Sequence, residues 1–119
     1  MIAPLGSVPF RLAAGDTVAV FVVIQNKGMG HSLVPEVRDL YEPWVEFVAK
    51  EANGNEIYHS GFLKADGSLD ERAHSFTNRP VNLYGNFVDD HMVWTIHSVA
   101  YDNTIQAGSS TLVRYEFKI

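Results

Sequence analysis

Between Thr17 and Asn26 the chain reads Thr-Val-Ala-Val-Phe-Val-Val-Ile-Gln-Asn, and no other stretch restricts the fold so tightly. Val18, Val20, Val22 and Ile24 fall on one alternating face; Ala19, Phe21 and Val23 fall on the other. β-Branching at this density stiffens χ1 and suits a pleated strand better than a helix. Apolar residues on both faces predict a central strand covered on both sides, since a half-exposed strand would alternate. The apolar run at 18–24 is too short for a transmembrane span, which takes roughly 20 residues.

The remaining segments are punctuated as a β protein would be. Residues 1–9 contain two prolines and a glycine and read as a lead-in, with a short first strand over 10–12. A strand is expected over 44–50, then Asn53-Gly54 as the tip of a hairpin, then the returning strand over 56–60. Residues 61–72 read as a loop and 73–79 as extended chain, and Pro80 marks an edge or a bend. Tyr84-Gly85-Asn86 reverses the chain before a strand over 92–101. In the final strand, 111–119, Val113, Tyr115, Phe117 and Ile119 alternate with Arg114, Glu116 and Lys118, so one face is buried and the other wet. No amphipathic helix pattern of 12 residues occurs. The sequence predicts an all-β, antiparallel, immunoglobulin-like β-sandwich of about seven strands, a single domain over 10–119. Val20, Val22, Val45, Phe47, Val113, Tyr115 and Phe117 are its expected core.

Composition narrows the chemistry. The net charge is −5 and the nine Lys and Arg are dispersed, which argues against nucleic acid. There is no cysteine, so disulfides, thiolate metal sites and haem attachment through C-x-x-C-H are excluded within these residues.

The metal or haem ligands available are the histidines at 31, 59, 74, 91 and 97, with no His-x-His pair among them. His31 lies in Asn26-Lys27-Gly28-Met29-Gly30-His31, where two glycines loosen the backbone around it. It reads either as an axial haem or metal ligand or as a loop histidine hydrogen-bonded to backbone. His74 carries the same pair of readings more weakly. His59 and His91 read as surface residues and His97 as a sheet residue with a hydrogen-bond partner. Arg38, Asp39 and Glu42 can form a charge network beside the His31 loop. Asp66-x-Ser68-x-Asp70 has the alternation of a calcium loop, but its glycine is misplaced and no Glu occupies the twelfth position.

Several short motifs occur together: Asn26-Lys-Gly-Met-Gly-His-Ser-Leu-Val-Pro35, Glu42-Pro-Trp-Val-Glu-Phe47, Tyr58-His-Ser-Gly61, Asp70-Glu-Arg-Ala-His74 and Tyr101-Asp-Asn-Thr-Ile105. On these the chain resembles the β-sandwich domain at the C-terminal end of certain bacterial multihaem c-type cytochromes, over residues 10–119. The resemblance implies a non-catalytic module for electron transfer that packs against a haem-bearing cytochrome polypeptide or subunit. It implies a periplasmic or extracellular location, with the signal peptide absent from this chain. His31 and His74 are then the cofactor-binding candidates, with His31 the metal ligand, and the haem c belongs to a partner or to a missing segment. Those proteins carry many C-x-x-C-H motifs and this chain carries none. A weaker likeness to cupredoxins rests on the histidine after a strand, but a blue copper centre needs a Cys. A stand-alone protein- or carbohydrate-binding sandwich is the alternative, and a small metalloenzyme built on His31, His74 and a carboxylate is a third reading.

Overall fold

A computed structural model describes residues 11–34 and 41–119. Its strands are β1 (Thr17–Gln25), β2 (Trp44–Val45), β3 (Phe47–Lys50), β4 (Glu56–Ser60), β5 (His74–Ser75), β6 (Asn78–Val81), β7 (Ser98–Asp102) and β8 (Ser110–Lys118). They pair antiparallel in four two-stranded ribbons, β1–β8, β2–β5, β3–β4 and β6–β7. The described residues are therefore all-β and antiparallel. The expected first strand at 10–12 falls partly outside the described residues, and Arg11 and Leu12 are not in a strand.

β1 and β8 pair along nine residues each, from Thr17 opposite Lys118 to Gln25 opposite Ser110. The side chains of Val18, Val20, Val22 and Ile24 on β1, and of Val113, Tyr115 and Phe117 on β8, share the inner face. Val113 and Tyr115 are buried there; Val20, Val22, Val45, Phe47 and Phe117, expected to be largely buried, are half-buried. Opposite this face stands the β3–β4 hairpin, and aromatic rings fill the space between. Phe47 stacks on Tyr115 and Tyr58 stacks on Phe117.

The expected two-sided burial of β1 does not occur. Phe21 and Val23 remain 56% and 54% exposed, and among the described residues β1 has β8 as its one strand partner. β-Branching was sufficient to specify the strand, but burial of a second face requires a second layer. The remaining strands pair elsewhere or lie against the inner face.

The Asn53-Gly54 turn forms as its sequence predicts. Gly54 has φ of +93° and its N–H donates to the Glu51 carbonyl at 2.9 Å. The 44–50 strand is broken at Glu46, so β2 pairs with β5 while β3 pairs with β4. The register of β6 against β7 shifts between Arg79 and Pro80, where a residue without an N–H cannot continue the ladder. The strand expected over 92–101 is replaced in its first half by a 3₁₀ turn at Val93–Thr95, with strand resuming at Ser98. Thr95 Oγ1 donates to the Met92 carbonyl at 2.7 Å, a local bond that competes with a ladder.

A second core consists of Val34, Phe76 and Ile105, with Ile24, Leu33 and Val45 packed against it. It lies beside the loop that carries His31.

Candidate functional site

The His31 loop is tied down at its root by Asn26. This side chain is 1% exposed, and its Nδ2 donates both to the His31 carbonyl at 2.8 Å and to the Ile105 carbonyl at 2.9 Å. The Asn26 backbone adds bonds to Ser109 and Gly108. Leu33 and Ile105 exchange N–H···O bonds at 2.8 and 2.7 Å, closing the far side of the loop on the same segment. Of the two flanking glycines, Gly28 sits at φ of +83°, a torsion that a Cβ disfavours. Gly30 does not.

The His31 side chain is exposed, and its Nδ1 lies 2.9 Å from the Ser32 carbonyl oxygen. A carbonyl only accepts, so this contact places the proton on Nδ1 and the lone pair on Nε2. A metal-ligating histidine is held in the same tautomer by the same kind of second bond.

His74 is placed differently. It lies in β5, its ring packs edge-on against Phe76 at 5.1 Å, and its Nε2 is 3.4 Å from Asn103 Nδ2. Burial pushes its pKa down, favouring the neutral ring. Asn103 Nδ2 also donates to the Ser75 carbonyl at 2.7 Å. Residues 103–105 thus join the His31 loop to β5. His74 Nε2 already faces an amide donor, whereas His31 Nε2 faces none among the described residues.

His59, read from sequence as a surface residue, is held between two glutamates. Its Nε2 lies 2.9 Å from Glu46 Oε1 and its Nδ1 lies 3.0 Å from Glu56 Oε1, while Phe62 packs on the ring at 5.2 Å. The hydrogen bond that the ring donates to Glu46, opposed by partial burial and aided by Glu56, raises its pKa. Both nitrogens are engaged, so neither is offered to a metal. The signal was period-2 spacing: Val48 lies opposite His59, and Glu46, two residues earlier, reaches the ring diagonally, but neither the hairpin register nor the break at Glu46 is fixed by the turn dipeptide alone.

The remaining polar candidates are structural. Asp66 Oδ1 accepts from the N–H and Oγ of Ser68 at 2.9 and 2.7 Å. Asp70 turns inward to the N–H groups of Gly61 and Arg72; burial would raise its pKa, but these donors and the Arg72 guanidinium outweigh it and hold the carboxylate charged. Among the described residues no group of three His, Cys, Asp or Glu is arranged to hold a metal ion. Glu42 pairs with Arg79 at 3.4 Å; Arg38 and Asp39, its expected partners, lie outside the described residues. His91 and His97 are exposed.

No protein-family model, curated protein or solved structure matches the chain. The site therefore stands on its geometry. It offers a single exposed imidazole nitrogen on a loop anchored by Asn26.

Proposed function

We propose that the chain is a non-catalytic, immunoglobulin-like β-sandwich module, with the β1–β8 ribbon packed on the β3–β4 hairpin, that sits against a haem-bearing polypeptide and supplies His31 as a distal axial ligand. The observation that carries this is the Nδ1 bond to the Ser32 carbonyl, which leaves Nε2 as an exposed lone pair. A glycine-flanked loop lets the backbone come close to a flat macrocycle, and haem would supply the redox chemistry. His74, turned toward Asn103, is not assigned a ligand role. Three clusters of ionisable side chains support the non-catalytic reading. His59 with Glu46 and Glu56, Lys64 with Glu71, and Asp70 with Arg72 are all committed to one another. A partner bearing haem c would place the module in the periplasm or outside the cell.

The test is titration of the chain into a haem peptide that carries one axial histidine and an open sixth position, followed by visible and electron-resonance spectra. The expected result is conversion to a six-coordinate, low-spin signal with wild type and His74→Ala, and loss of that conversion with His31→Ala. Equal conversion by His31→Ala, or none by wild type, overturns the assignment.

A further inference from the structure

Nine of the eighteen large apolar residues exposed among the described residues fall within 83–101. Leu83 is 69% exposed, Tyr84 84%, Phe87 60%, Trp94 78% and Tyr101 51%. At roughly 200 Å² for a whole aromatic side chain, these four aromatics alone leave on the order of 500 Å² open. Leu83, Met92, Val93, Ile96 and Val99, exposed along the same segment, add to this area. Scattered exposed apolar residues are ordinary, but this concentration marks an interaction site.

The backbone beneath them is ordered. Asn82 N–H donates to the Asn86 carbonyl at 2.9 Å, and Asn82 Oδ1 accepts from the N–H groups of Tyr84 and Asn86 at 2.9 and 3.0 Å. Gly85, at φ of +80°, completes this tip, and Val81 bridges to Phe87 behind it. The Thr95 hydroxyl fixes the turn that carries Trp94. An apolar surface already held in place loses little entropy on docking.

Charge selects the occupant. Residues 80–113 contain no Lys and no Arg, while Asp89 and Asp90 are exposed in the middle of the apolar segment. The arginines that bracket this stretch are paired, Arg79 with Glu42 and Arg114 with Glu116. The segment is thus apolar and acidic, with no Lys or Arg of its own. A second copy would bring carboxylate against carboxylate, and an anionic membrane would be repelled.

We infer that the 83–101 segment is a docking surface for a protein whose facing patch has an apolar centre bordered by Lys or Arg. This stands apart from the His31 assignment and requires no haem.

The experiment places a photo-crosslinking residue by Trp94→p-benzoylphenylalanine in the full chain, in the cells that make it, and maps the joined peptide by mass spectrometry. The identified partner is then purified, and its affinity for variants is measured at several salt concentrations. The expected result is one protein joined next to Lys or Arg, with affinity falling as salt rises. Trp94→Ala, Tyr84→Ala and the pair Asp89→Lys with Asp90→Lys should each weaken binding at least tenfold, while Asp89→Glu with Asp90→Glu and His31→Ala should retain it. Circular dichroism checks that each variant is folded. Crosslinking only to another copy of the chain, only to lipid, or to nothing overturns the inference. So does a partner whose binding ignores both charge reversal and salt.

Discussion

The rings of Phe47 and Tyr115 lie 4.3 Å apart and 7° from parallel, and this stack joins the β3–β4 hairpin to the long β1–β8 ribbon. Phe47 also leans on Tyr58 and Phe117, at 6.0 and 6.2 Å. Phe47→Ala is expected to lower stability by about 3 kcal/mol, the bottom of the range for aromatic truncation because the ring is half-buried. Tyr115→Phe should behave oppositely. The Tyr115 hydroxyl is buried without a hydrogen-bond partner among the described residues, so its removal should be neutral or stabilise by up to about 1 kcal/mol. Urea unfolding of the two variants against wild type checks both; a Tyr115→Phe loss comparable to that of Phe47→Ala would mean that the hydroxyl has a partner in solution.

Gly61 is the most sterically confined glycine among the described residues. A Cβ there would lie 2.3 Å from the Val45 carbonyl oxygen and 2.9 Å from Glu46 Cα, at a φ of +83°. Its carbonyl accepts from Trp44 Nε1 at 2.8 Å and its N–H donates to Asp70 at 3.1 Å, so it cannot shift without breaking both. Gly61→Ala is expected to cost about 3 kcal/mol or more. Gly54→Ala, with the same sign of φ and open space around it, should cost only about 1–2 kcal/mol. Thermal melts of the pair separate crowding from torsional strain.

Two histidines set opposing pH responses. His59 is raised by Glu46 and Glu56, so its stabilisation is full below about pH 6.5 and is lost as pH rises through its higher folded pKa. His74 is lowered by burial, so the unfolded chain takes up its proton first and stability falls as pH drops below about 6.5. His59→Gln should therefore shrink the loss of melting temperature between pH 6 and pH 8, and His74→Gln should shrink the loss on acidification from pH 6.5 to pH 5. Melts of the three proteins across that range test the signs. A steeper alkaline loss in His59→Gln would contradict the contacts described.

Asn26→Ala removes the donor shared by the His31 and Ile105 carbonyls and leaves two acceptors to find water. The expected cost is about 2–4 kcal/mol, with faster amide exchange concentrated in residues 27–33 and 105–109. If exchange rises evenly over the chain, Asn26 is a general core residue and not the anchor of the loop.

The features legible in the sequence were the local ones. β4 runs over Glu56–Ser60 as its residues predict, β8 alternates as predicted, and Asn53-Gly54 makes its turn, because torsional preference and period-2 burial act within a few residues. The pairing into four ribbons was not legible, since whether Phe21 and Val23 are covered depends on segments far away in sequence. The exposed His31 was expected for a ligand loop, and Tyr115 for the core. Asn26 and Asn103 were visible only as letters in motifs, because an asparagine that anchors a loop reads no differently from one on a surface. The bracketing of His59 by two glutamates required the break at Glu46, which no residue there announces.

The pairing of Thr17 with Lys118 bears on how this chain is made. β1 leaves the ribosome well before its partner β8 exists, and closing a loop on the order of 100 residues carries a large entropy cost before any bond is gained. The uncharged strand with Phe21 and Val23 on its outer side must therefore wait, unpaired, while the residues between it and β8 are made. The β3–β4 hairpin, closed by its own turn, is free to form during that wait, so birth order and assembly order differ in this protein.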